Sequence, residues 1–137
     1  PSPWPSLMEH PHVELIRRFY TARAENDRDT LREILATDVA WHDPYPPPHG
    51  GDLVGIEAVF REIIDKAGQL TGGTTRLWLH DVLANDQHAV ALVNWSATYR
   101  GKTMEGREVA VYHVHNGQIT EVWFYPEDKA ASDAFFQ

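Results

Sequence analysis

Residues 39–55 read VAWHDPYPPPHGGDLVG, and the fold turns on how that stretch is parsed. Val39, Ala40 and Trp41 form a short apolar strand. His42 and Asp43 follow, and Pro44 ends regular pairing because it has no backbone N–H to donate. Three more prolines and two glycines make a stiff loop that hands over to a helix at about Gly55. A carboxylate at a strand end, next to aromatic residues and a rigid loop, is well placed to face a cavity. The plainer role for Asp43 is to accept backbone hydrogen bonds in an Asp-Pro turn, as short polar side chains do routinely. What the rest of the chain builds around it decides between the two.

Upstream, Val13, Ile16, Phe19 and Tyr20 recur at helical spacing, so the pattern predicts a helix over about Pro11–Glu25, broken by Asn26 and Asp27. Asp27 or Asp29 can cap a second short helix with apolar positions Leu31, Ile34 and Leu35. Residues 1–10 carry three prolines and read as an irregular arm, leaving 11–137 as one domain. Downstream, Gly55 to Leu70 is a third helix with a buried stripe of Ile56, Val59, Phe60, Ile63 and Ile64. Residues 74–84, 88–100, 102–115 and 118–125 are rich in β-branched and aromatic residues and separated by short turn signals. A last short helix covers Glu127 to Phe136. Helices first and a meander afterwards define an α+β fold, with the helices on one side of a curved sheet.

Composition narrows the function. Twenty acidic against twelve basic residues give a formal charge of −8, the wrong sign for a general nucleic-acid binder. The absence of cysteine removes disulfides, thiol nucleophiles and Cys-zinc sites. No apolar stretch approaches the roughly 20 residues that span a bilayer, and the N-terminus has no signal-peptide pattern. A soluble, cytoplasmic protein with no membrane partner is the expectation.

Strand periodicity assigns faces. A two- or four-residue loop around Asp86-Gln87 pairs His80 with Val93 and Trp78 with Trp95, all on one face; a three-residue loop breaks that register. The His115-Asn116-Gly117 turn also has two versions. A two-residue type I′ turn pairs Ala110 with Trp123. A three-residue turn with a glycine bulge pairs Ala110 with Val122 and Tyr112 with Thr120, which puts Val122, Phe124, Pro126 and Asp128 on the Tyr112 face.

Helix, short helix, strand ending in Asp-Pro, helix and long meander together resemble the NTF2-like superfamily, and within it the SnoaL-like polyketide cyclases and ketosteroid isomerases. The segments that carry the resemblance are FYTARAENDRDTLREILATDVAWHDP, the helix opening GIEAVF and the ending NGQITEVWFYPEDKAASDAFF. The resemblance implies a cone whose sheet and helices enclose one deep, mostly apolar pocket, usually in a dimer. Here the pairing face would carry Val109, Val111, His113, Glu121 and Trp123. Asp43 matches the isomerase general base. The two isomerase oxyanion donors match Phe19 and Ala110, so steroid isomerisation by the standard arrangement is not expected; one such donor is typically worth ~3 kcal/mol of transition-state stabilisation. The cyclases use an aspartate just past the last strand, where this chain has Asp128.

The candidate catalytic set is therefore Asp43, Asp128 and His80. The ordinary alternatives are a turn for Asp43, a helix-dipole charge for Asp128 and a satisfied core histidine for His80. Phe19, Phe60, Trp78, Trp95, Tyr99, Tyr112 and Phe124 are the candidate substrate-binding residues, suited to a small hydrophobic or aromatic ligand, with core packing as their simplest role. His113 and His115 lie on one strand face but are read as incidental, so no metal and no cofactor are expected. The function implied is proton transfer by pocket carboxylates in a cyclisation, isomerisation, dehydration or epoxide opening, with a non-catalytic binding module as the rival. The inward arginine of the fold's epoxide hydrolases has only Arg76 and Arg107 as strand-interior candidates.

Overall fold

A computed structural model of the chain describes residues 9–44 and 51–137. Most of the expected N-terminal arm (1–8) and the proline loop (45–50) lie outside the described residues. Helix α1 (Pro11–Glu25) ends at Asn26, whose left-handed backbone (φ 53°) closes the last turn. Helix α2 (Arg28–Ile34) starts from Asp27, whose carboxylate accepts from the Thr30 N–H at 3.1 Å. Leu35, expected on that helix, opens β1 (Leu35–Asp43), so the strand begins four residues before Val39. Gly51–Val54, expected as loop, is a second strand, β2, antiparallel to β1 with Asp43 opposite Gly51. Four residues behind a proline-glycine run are too few to show a period.

The third helix, α3 (56–70), consists of an α-turn Ile56–Val59, a π-helical run Phe60–Lys66 and an α-turn Ala67–Leu70. π-Turns recur beside functional sites. Four strands follow: β3 (Arg76–Ala84), β4 (His88–Tyr99), β5 (Lys102–His115) and β6 (Gln118–Pro126), then α4 (Lys129–Phe135). The sheet order is β2-β1-β6-β5-β4-β3, with β1 parallel to β6 and the other pairs antiparallel. This is the curved α+β sheet expected from the pattern.

Both doubtful registers resolve through bulges. The β3–β4 hairpin keeps its four-residue loop, with Ala84 opposite Ala89, but the register shifts between Leu79 and Asp81. His80 is the extra residue, so Leu77 faces Trp95 and Leu79 faces Val93, in place of the expected Trp78 and His80. At the other hairpin Asn116 and Gly117 (φ 51° and 74°) form the two-residue type I′ turn. A shift then occurs between His113 and Val114, giving Ala110 opposite Phe124 and Tyr112 opposite Val122. Neither expected pairing is met, although Val122 and Phe124 do share the Tyr112 face.

The inner face is clearest on β4, where buried and half-buried residues alternate over its full length. Ala89, Ala91 and Val93 pack with Ala110, Tyr112 and Val122 beneath Ile16, Phe19 and Tyr20 of α1 and Val59 and Phe60 of α3. Each fully buried large aliphatic side chain contributes about 1.5–3 kcal/mol over its exposed state. Small alanines on β4 and β5 leave room for the rings above them. The hydroxyls of Tyr20 and Tyr112 meet at 2.6 Å inside this core. Burial pushes both phenols above their ordinary range, so the pair stays protonated and one hydroxyl donates to the other. Trp95, Ala97, Tyr99 and Phe135 form a second cluster at the α4 end.

Candidate active site

Between these two clusters lies a cavity of about 150 Å³. Its wall is largely apolar: Trp41 from β1, Ile63 and Leu70 from α3, Leu77 from β3, Trp95 and Ala97 from β4, Phe124 from β6, and Phe136 past α4. Among the described residues, three charged side chains break that wall. Asp43 comes from the end of β1, Glu108 from β5 and Arg23 from the last turn of α1.

Each is positioned by local structure. Asp43 is two residues beyond Trp41, so the same alternation that buries the indole sends the carboxylate inward. Glu108 is in phase with Ala110 and Tyr112 on β5, opposite Pro126 of β6. Arg23 follows Phe19 and Tyr20 by four and three residues, on the helix face that covers the sheet. Its guanidinium carbon lies 5.9 Å from the Phe19 ring centre and 6.0 Å from that of Trp41.

The electrostatics are uneven. Burial lifts the Glu108 carboxyl from an ordinary 4.5 to about 7; Arg23 opposes this and the charge of Asp43 adds to it. Glu108 therefore exchanges its proton near neutrality, beside a second carboxylate. The indole N–H of Trp41 is buried and has no hydrogen-bond partner among the described residues. The hydroxyls of Thr71 and Thr75 bond each other at 2.7 Å on the same wall.

The structure brings together Asp43, Trp95 and Phe124 of the expected residues and sets the others elsewhere. Asp128 is exposed and caps α4, accepting from the Ala131 N–H at 3.0 Å. Regular alternation ends with β6 at Pro126, so the periodicity that aims Phe124 inward no longer governs Asp128. His80 is exposed at its bulge, and Trp78, 46 % exposed, points away from the cavity. Phe19 and Tyr112 stand one layer behind the wall, with their ring centres 5.8 Å apart. Phe60 is buried under the guanidiniums of Arg28 and Arg32, and Tyr99 packs on Phe135 and Phe136. His113 lies against Trp123, and His115 is exposed.

Two functional candidates escape the strand-by-strand reading. Glu108 carried a signal, since it is in phase with Ala110 and Tyr112. Arg23 did too, because Ile16, Phe19/Tyr20 and Arg23 continue one helical stripe. An inward arginine sought only on strands is not found there.

An open sheet wrapped by helices around an acid-bearing apolar cavity defines an NTF2-like cone. The SnoaL-like domain model matches residues 16–122, and the chain belongs to that family. An uncharacterised protein of Mycobacterium tuberculosis is 30% identical over 125 residues, spanning 90% of this chain and 95% of the relative. The solved structure of Bal32a, from a soil-derived mobile gene cassette, is 30% identical with a TM-score of 0.84, over 90% of this chain and 95% of its own. TerC, co-crystallised with polyporic acid, shares the fold at 20% identity and a TM-score of 0.79, over 93% and 98% of the two chains. IdmH of Streptomyces antibioticus, a proposed polyketide cyclase, does so at 17% and 0.70, over 86% and 93%. No helix among the described residues is long and apolar enough to cross a membrane.

Proposed function

We propose that the protein is a cofactor-independent acid/base enzyme acting on a small, ring-bearing hydrophobic substrate. The observation that carries this reading is the placement of two carboxylates and a guanidinium, among the described residues, on one largely apolar cavity. Two acids in such a site share their charge unequally: a proton held by Glu108 relieves the repulsion with Asp43, which leaves one group to give a proton and the other to take one. Asp43 removes a proton from carbon or hydroxyl, Arg23 faces the negative charge that develops on the substrate oxygen, and Glu108 returns a proton to complete the step. Isomerisation, dehydration and ring closure all balance this way without a redox partner. A volume of about 150 Å³ matches a single ring, since an engineered apolar cavity of about that size accommodates benzene. The cyclase-like fold neighbours and the polyporic acid seen with TerC agree with a ring-bearing ligand.

Incubation with a panel of small aromatic enones, β-hydroxyketones and epoxides, followed by mass spectrometry, should reveal turnover. General acid–base catalysis contributes about 10²–10⁴-fold, so Asp43→Asn is expected to reduce the rate by at least about 100-fold. An unchanged rate in that variant would remove Asp43 from the reaction. Ligand binding without turnover across the panel would favour the binding-module reading.

Assembly belongs to the same proposal. The outer sheet face presents Val109, Val111, His113, Glu121 and Trp123, each half-buried in one chain. Two copies paired through this face would scatter light as about twice 15.6 kDa, and a single-chain mass at micromolar concentration would refute the pairing.

A further inference from the structure

Beside the inner cavity lies a wider one, of about 1050 Å³, between the C-terminal ends of α1 and α3 and the start of β3. The two share a wall made of Arg23, Ile63, Thr75 and Leu77. The charge around the outer cavity differs from that around the inner one. Arg23 and Arg76 line it, while its carboxylate, Asp65, is already paired with Arg28.

The fate of the other guanidiniums makes these two stand out. In a chain of net charge −8, Arg17, Arg18, Arg28, Arg32, Arg61 and Arg107 each meet a carboxylate. Among the described residues, Arg23, Arg76 and Arg100 make no such ion pair, and two of these three line the outer cavity. Arg76 spends one nitrogen on the carbonyls of Gly73 and Thr75, while Arg23 lies over the faces of Phe19 and Trp41 and acts on Glu108 through its charge without an ion pair. Arg76 is exposed, but Arg23 is half-buried, and a guanidinium so placed with its fork of donors unmet is suited to a planar anion such as a carboxylate.

We infer that the protein takes an aromatic carboxylic acid, its ring in the inner cavity and its carboxylate across the shared wall, held by Arg23 with Arg76 nearby. This rests on the acid/base reading for the ring end alone. Arg23 lines both cavities whereas Asp43 and Glu108 line only the inner one, so a carboxylate in the outer cavity is drawn to the site without sharing a wall with the acids that would repel it.

Binding of phenylacetate and of its neutral isostere phenylacetamide, followed by tryptophan fluorescence and calorimetry, tests the inference without requiring turnover. Wild-type protein is expected to bind the acid at least tenfold more tightly, with a preference that shrinks as salt rises. Arg23→Gln should erase the preference, and a urea-unfolding midpoint near that of wild type reports that the variant folds. Arg23→Lys should keep part of it, and Arg76→Gln should reduce it several-fold. Equal affinity for acid and amide in the wild type, or a preference that survives Arg23→Gln, would overturn the inference. Anion-selective binding without catalysis would refute only the acid/base reading, and turnover of neutral substrates without anion preference would refute only this one.

Discussion

Replacing Glu108 by glutamine should make the protein more stable at pH 8 and far less active. The carboxyl titrates near 4.5 when exposed in the unfolded chain and at about 7 when folded. Below pH 4.5 both states hold the proton and the group costs nothing. Between 4.5 and 7 the unfolded chain releases its proton first, so stability falls as pH rises, and above 7 the full cost is present. At ~1.4 kcal/mol per pH unit the 4.5-to-7 shift makes that cost at most about 3.5 kcal/mol. Glutamine keeps the shape and removes the titration. Urea unfolding should therefore show the variant ahead of wild type by about 3 kcal/mol at pH 8 and level with it at pH 4. A gap that does not change with pH would mean that Glu108 is not held against its charge. On the proposed mechanism, turnover should fall by at least about 100-fold in the same variant. A gain in stability joined to a loss of function is the usual sign of a strained catalytic group.

The second large effect is steric. Gly106 sits directly opposite Trp95, and a Cβ at this position would lie 2.5–2.6 Å from three atoms of the indole. Real side chains do not approach so closely, so Gly106→Ala must displace the ring, and Gly106→Val must displace it further. Forcing extra volume into a packed site costs about 1–3 kcal/mol. Because Trp95 also lines the inner cavity, ring binding should weaken together with stability. Gly106→Ala combined with Trp95→Leu should recover part of the lost stability, since the two changes act on one contact. Additive losses in the double variant would show that the clash is relieved in another way.

How far the site could be read from the sequence follows from where periodicity holds. Helix α1 was legible because its apolar residues keep one helical stripe from Val13 to Tyr20 and its end is marked by Asn26. The placing of Asp43 at a strand end was legible because Pro44 stops the strand there. Glu108 was legible in phase but masked by charge, since a carboxylate on a strand is ordinarily assigned to solvent. His80 and Trp78 were misplaced because an extra residue in β3 reverses the parity of everything before it, and no local composition marks such a bulge. Asp128 was misplaced because alternation was carried past the end of β6.

That bulge bears on how the cavity wall is inherited. Leu77 and Leu79 precede His80, Val82 follows it, and all three belong to the inner side only because one residue is skipped between them. A relative lacking the skipped position would present the same wall from a strand one residue shorter. When such sequences are aligned, a single-residue gap in the middle of β3, ordinarily the mark of an error, would be the correct placement. Closing it would match surface residues of one protein to cavity residues of another.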